Sequence, residues 1–268
     1  YMRYANPKVC PPRPGEKTYR VRGTREPFYT FNVIDGILSV KQVMTVAKKY
    51  NATITEYLNA VLLYALLQKQ KKERRKHLRP VKIAMPVNLR RFFPSKTLRN
   101  FITMVYPSID PRLGEYSFEE IVIQVHNYMR YFINEKFLKG DITTNARTQQ
   151  NSFIRIVPLF IKDFVVRQFY TRVQDKNSSA GLTNMGALKV PQDMKPYIDR
   201  FDIYMGQPFS SRTNCAIISF EDTLTINFAS SIMETDVERY FFRKLVADGV
   251  HVTIESNREG LDTFYESI

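Results

Sequence analysis

The sequence predicts an α/β fold, a mixed and mostly β sheet flanked by helices. Three observations predict it. Strand-like and helix-like stretches alternate early in the chain, a hairpin comes late, and four segments open with a hydroxyl residue followed three positions on by Glu or Gln. In such a capping box the hydroxyl and the carboxyl or amide each satisfy an amide left free at the helix start.

Residues 1–27 carry Pro7, Pro11, Pro12, Pro14 and Pro27 among basic residues. Proline removes a backbone donor and fixes φ, so this stretch reads as an extended connector. Residues 28–268 then read as a single domain. "PFYTFNVI" (27–34) has strand composition. Ser39-x-x-Gln42 opens a helix to about Tyr50, and Thr53-x-x-Glu56 opens a longer one with Leu58, Val61, Leu62 and Ala65 on its apolar face. "VKIAMPV" (81–87) and "FITMVYPSI" (101–109) are β-rich. Ser117-x-x-Glu120 starts a third helix, "SFEEIVIQVHNYMRYFINEKF", apolar at Ile121, Val125, Met129 and Phe132. Residues 145–173 read as helix around Pro158. "CAIISF" (215–220) and "TLTINFASSI" (223–232) form a hairpin turning at Asp222. Thr235-x-x-Glu238 opens the last helix, closed by Gly249.

Composition narrows the function classes. The longest apolar run, Ala60–Leu67, is far too short to cross a bilayer. No basic-then-apolar leader follows Tyr1, so an intracellular, cytoplasmic protein is expected. Cys10 and Cys215 are isolated and support neither a disulfide framework nor a zinc site, so no metal is expected. The net charge of +14 attracts nucleic acid, anionic membranes, acidic proteins or phosphorylated cofactors. The run "KQKKERRKHLR" (69–79) also suits a solvated helix end, where cations meet the negative pole. Nucleic-acid binding is not expected, because none of its aromatic or glycine signatures accompanies the charge.

Catalytic candidates are few. His77 lies in the basic run, His126 fits a surface or boundary position on the third helix, and His251 with Glu255 lacks the second His of a zinc-protease helix. No G-x-S-x-G elbow, phosphate loop or dinucleotide fingerprint is present. "LTNMGAL" (182–188) reads as turn chemistry, since Asn and Gly tolerate left-handed angles.

Four stretches in one order carry a resemblance: "ATITEYLNAVLLYAL" (52–66), "VKIAMPVNLRRFFPSKTLRNF" (81–101), "GLTNMG" (181–186) and "LTINFASSIMETDVERYFFRKL" (224–245). Together they resemble the C-terminal half of two-domain acyltransferases of the chloramphenicol-acetyltransferase-like superfamily. That group includes alcohol acetyltransferases, wax ester synthases and nonribosomal peptide condensation domains. Thr53-Ile54-Thr55-Glu56 stands where wax ester synthases have Thr-x-Asn-Asp, keeping the cap but losing the Asn-Asp pair. "PVNLR" (86–90) is similar to a Pro-Val-x-x-Arg strand end, and Arg99 replaces the glycine of a Leu-Gly-Asn segment. "LTNMG" is similar to a Ser-Asn-x-x-Gly-like strand, with Thr183 in place of Ser.

In an active half of this family His-His-x-x-x-Asp-Gly sits between a strand and a helix. Here the junction reads Ala229-Ser230-Ser231-Ile232-Met233-Glu234-Thr235, without histidine and with Glu234 at the Asp place. The resemblance therefore implies a half that forms one wall of the substrate channel and is inactive alone. Its partner, an N-terminal half carrying His-His-x-x-x-Asp-Gly, would supply the base. Acyl-CoA or a phosphopantetheine thioester would be a co-substrate rather than a tightly bound cofactor. A small-molecule acceptor and an acidic carrier protein are the other implied partners. Thr183 would donate to the oxyanion and Asn184 would orient neighbouring backbone. Asn88, Arg90 and Asn100 are expected to anchor loops. Two alternatives remain open: Thr183 as a strand residue bonded to local backbone, and the whole chain as a non-catalytic binding module on the same fold.

Overall fold

A computed structural model describes residues 18–27, 30–73, 78–150, 178–206 and 212–258, with Leu159, Ile161 and Asp163. Its centre is a mixed sheet of eight strands: β1 (Asn32–Ser39), β2 (Val81–Asn88), β3 (Ile102–Val105), β4 (Ser108–Ile109), β5 (Ala180–Ala187), β6 (Thr213–Phe220), β7 (Thr223–Ser230) and β8 (Thr253–Ser256). Their spatial order is β3-β2-β5-β6-β7-β1-β8, with β4 continuing the β3 edge along β2. β5 lies parallel to both β2 and β6, and the remaining pairs are antiparallel.

One face of the sheet is apolar and carries helices. Ile83, Met85, Leu182, Cys215, Ile217, Ile226 and Phe228 project into a single buried cluster, the every-other-residue set that a pleated strand presents to one side. Helix α1 (Val40–Lys49) follows β1 directly. Helix α2 (Ile54–Lys72) is buried on all sides, between the sheet at β2 and the flanking helices α3 (Phe118–Phe132) and α5 (Asp236–Ala247). Leu58, Leu62, Leu63 and Leu66 are wholly removed from solvent, each contributing roughly 1.5–3 kcal/mol of burial. The middle of α2, Ala60–Leu67, is apolar on every side, which suits a core helix rather than an amphipathic surface one.

Helix α4 (Glu135–Gln150) closes a smaller core with Leu89, Phe93 and Phe101 through Leu138 and Ile142. The third expected helix is therefore two. The break falls at Ile133–Asn134, where Asn134 donates to the Tyr131 carbonyl and accepts from Phe137 N at 3.0 Å, capping the next helix. The rest of the stretch expected as helix around Pro158 lies outside the described residues, apart from Leu159, Ile161 and Asp163, which are helical.

Two of the four capping boxes close reciprocally, Thr53 with Glu56 and Ser117 with Glu120. Ser39 accepts from Gln42 N, but the Gln42 side chain turns away to accept from His251 N. Thr235 makes no side-chain cap bond and Glu238 is buried.

The stretch expected as a connector is packed into the domain over residues 18–27. Tyr19 and Val21 belong to the main core, and Tyr19 N donates to Pro80 O at 2.8 Å. No helix among the described residues is long and apolar enough to cross a membrane.

The basic run is not simply a solvated helix end. Lys69 is buried, and its ammonium lies 2.8 Å from Asp236, which Lys72 and Arg239 also contact at 2.7 Å. Burial pushes the Asp236 carboxyl up, yet the bonds from Lys69 and Lys72 prevail and hold it below its ordinary 3.8. Asp236→Asn leaves the Lys69 charge buried without a carboxylate and should cost about 3 kcal/mol at neutral pH. Because the folded pKa is lowered, that contribution is complete above 3.8 and is lost as pH falls through the lower folded value. Urea titrations of the two proteins should converge in acid; a gap that persists there contradicts the assignment.

Candidate functional site

"LTNMGAL" forms the C-terminal end of β5, the strand with a parallel neighbour on each side. Alternation sends its side chains to opposite faces. Leu182 and Asn184 face the helices and Thr183 faces away.

Asn184 is fully engaged. Its amide nitrogen donates to Thr55 Oγ1 at 2.9 Å, in the first turn of α2, and its oxygen accepts from Gly186 N at 2.8 Å. Gly186 has φ 76 and the register slips between Asn184 and Ala187, so β5 bulges here before it pairs with β6 again at Ala187–Ser219. Only a residue without a Cβ adopts that angle cheaply.

Thr183 is half-buried, and its hydroxyl has no hydrogen-bond partner among the described residues. It stands in register with Ala216, Ala216 with Asn227, and Asn227 with Asp35. These four share the face away from the helices, so a polar row crosses four strands with an alanine gap beside Thr183. Adjacent strands lie roughly 5 Å apart, which puts Asn227 about 10 Å from Thr183.

Residues 198–206 strap the far part of this face. Tyr204 Oη donates to Asp35 at 2.7 Å, Ile203 N to Asn227 Oδ1 at 3.2 Å, and Thr225 Oγ1 to Phe201 O at 2.6 Å. Asn227 Nδ2 donates to both Asp35 and Asp202. Burial raises the Asp35 carboxyl above its usual range, and the bonds from Asn227 and Tyr204 offset only part of that. The strap also reaches β6 and β5: Asn214 Nδ2 donates to Gly206 O at 3.4 Å, and Met205 lies against Gly181, which shares its face with Thr183.

The sheet and its strand order, with β5 central and parallel to its neighbours, meet two kinds of match. Residues 37–108 match the family model for alcohol acetyltransferase. The trichothecene 15-O-acetyltransferase of Fusarium sporotrichioides superposes with a TM-score of 0.57 at 13% identity, covering 86% of this chain and 48% of that one. This chain has the fold of one half of a chloramphenicol-acetyltransferase-like acyltransferase. The wax ester synthase/diacylglycerol acyltransferase of Marinobacter aquaeolei VT8 gives 0.51 at 10% identity, over 86% of this chain and 52% of that one. The epimerization domain from the third module of tyrocidine synthetase B gives 0.51 at 13%, with the same coverage. The chain thus spans about half the length of these structures. No curated protein matches it in sequence.

In this half-domain the junction of β7 and α5 is structural. Glu234 accepts from Thr24 N and Thr24 Oγ1, and Met233 N donates to Thr24 O, tying the chain entry to the strand end. Burial alone would raise the Glu234 carboxyl, but the Thr24 bonds lower it below its usual range. Beside this junction Arg212 is depressed by burial and by the nearby charges of Arg25, Arg20 and Arg22. Asn88 accepts from Arg90 N, and the Arg90 guanidinium donates to Thr97 O and Arg99 O, holding the loop after β2.

A second polar group went unread in the sequence. His126 Nδ1 stands 3.3 Å from Glu56 Oε1, while Glu56 Oε2 accepts from Thr53 N at 2.7 Å. Seventy residues separate the pair, so no spacing rule exposes it. The one available signal was that a capping-box Glu spends a single oxygen on its cap. Both lie on the helix side with Asn184, and the sheet separates them from the Thr183 hydroxyl. His251 is exposed beyond α5, Glu255 is held by Arg200 at 2.6 Å, and His77 lies outside the described residues.

These environments predict opposite responses. Asn184→Ala removes two hydrogen bonds and should cost on the order of 1–2 kcal/mol. Thr183→Val, which preserves shape and removes only an unpartnered hydroxyl, should stay within about 0.5 kcal/mol of the parent. Equilibrium urea denaturation ranks them; a Thr183→Val loss equal to that of Asn184→Ala would contradict the geometry.

Proposed function

We propose that this chain, with residues 28–268 as one domain, is the C-terminal half of an acyl-CoA- or carrier-thioester-dependent O- or N-acyltransferase. It forms one wall of the substrate channel and acts with an N-terminal half carrying His-His-x-x-x-Asp-Gly. The observation that carries this reading is the division at the end of β5. Asn184 is locked inward to α2 and Gly186, and the Thr183 hydroxyl, on the face turned from the helices, has no partner among the described residues.

In the proposed reaction the partner half's imidazole takes the proton from the acceptor's hydroxyl or amine. The freed oxygen or nitrogen attacks the thioester carbonyl, whose oxygen becomes an oxyanion. Thr183 donates a hydrogen bond to that oxygen. As the tetrahedral intermediate collapses, the C–S bond breaks and the imidazolium returns its proton to the thiolate. Asn184 is a positioning residue, fixing the backbone that presents Thr183.

Positive charge completes the reading. Arg20, Arg22, Arg25 and Arg212 gather beside the β7–α5 junction, and guanidinium groups bind the diphosphate of CoA or the carboxylates of an acidic carrier through charge-assisted bonds. A cytoplasmic location, where acyl thioesters are available, fits this role.

In the assembled two-half protein, Thr183→Val should lower kcat on the order of 10²-fold with little change in stability. Steady-state kinetics with acetyl-CoA and a short alcohol measures this. Unchanged turnover in a folded variant would remove Thr183 from the mechanism.

A further inference from the structure

Of the four segments patterned as capping boxes, the last fails in an informative way. Glu238 turns from Thr235 into the protein, where it is 2% exposed, and neither carboxyl oxygen has a partner with hydrogen-bond geometry among the described residues. Burial pushes this carboxyl up to about 7, the Thr213 hydroxyl and Lys69 offsetting only part of the shift.

A second orphan lies at the same end of the sheet. Asn32 is 1% exposed, and neither its amide nitrogen nor its oxygen has a partner among the described residues. It stands in register with Ser230, which stands in register with Thr213, all on the helix side. Leaving such groups unmatched costs roughly 1–3 kcal/mol each.

A cavity of about 400 Å³ opens beside Glu238, within the range of small-molecule sites. It is a trough between α5 and the edge strand β8. Thr235, Glu238 and Arg239 form its polar end at the first turn of α5. Ile34, Phe242, Val246, Val252 and Ile254 line the rest, with Val246 and Ile254 about half exposed. Arg243 stands on the lining without a hydrogen bond or ion pair among the described residues. Asp236, the nearest ionised carboxylate, already serves Lys69, Lys72 and Arg239. Positive charge is thus in excess at the polar end, where the helix pole adds to it.

We propose that this trough binds a medium-chain alkyl carboxylate. Its head group lies against Arg239 and Arg243, and its chain runs along Phe242, Val246, Val252 and Ile254. The arginines supply the charge. An alcohol would leave Arg243 unused, and a small inorganic anion would leave the apolar wall wet. The site is on the helix side of the sheet, opposite Thr183, and does not depend on the proposed transfer reaction.

Calorimetric titration of dodecanoate, below its micellar concentration, into the 268-residue chain tests this. Saturable one-to-one binding is expected, weakened about tenfold or more in Arg243→Glu and Val246→Glu, as loss of a charge-assisted contact or of apolar burial requires. Both substitutions are at exposed helix positions, and circular dichroism confirms that each variant folds. Dodecanol should bind more weakly by a similar factor, and Thr183→Val should leave dodecanoate binding unchanged. Absence of saturable binding, or equal affinity in the parent and in folded Arg243→Glu, overturns the proposal.

Discussion

Everything in this half-domain is hung on α2, a helix buried on all sides and fastened at both ends. At its start, the Thr53–Glu56 box satisfies the free amides and Thr55 receives the Asn184 amide. At its end, Lys69 carries a charge into the interior and meets Asp236 at the start of α5. A buried ion pair of this kind adds little net stability over an apolar pair, but breaking it is costly, so it fixes where α5 sits against α2. The apolar middle of the helix then sets the distance to the sheet.

The link from α2 to β5 turns packing into a functional arrangement. A strand ending beside a helix start exposes amides and side chains that need partners. Asn184 takes two of them at once, and Gly186 lets the strand bulge immediately afterwards. Alternation then leaves Thr183 no choice of face. The same sheet that holds Asn184, Glu56 and His126 on the helix side keeps them from the Thr183 hydroxyl. In the proposed reaction the base would come from a segment other than these.

Much of this was legible from local pattern. The strands at 81–87, 215–220 and 223–232 follow from β-branched and apolar runs. The helices at 40–49, 54–72 and 236–247 follow from caps and periodicity. What escaped was decided by tertiary contact. Asn134 ends one helix and caps the next because two separate cores sit on either side of it. Thr235 and Glu238 have the spacing of a cap, yet burial draws Glu238 inward, and spacing alone carries no information about that competition. The pairing of Lys69 with Asp236 joins residues 167 apart, and a cationic run read locally looks like a solvated end. At the candidate site, the motif located Thr183 and Asn184 but not their division between faces, which depends on register. The resemblance covered fold and order well and left His126 beside Glu56 unseen.

The most direct measurement of the central claim is acyl transfer from acetyl-CoA to a short alcohol, by this chain alone and then joined to a half bearing His-His-x-x-x-Asp-Gly. The account predicts no turnover above background for the chain alone. It predicts turnover in the joined protein that is lost when the histidines are replaced. Turnover by the chain alone, or turnover in the joined protein that survives loss of those histidines, would contradict it.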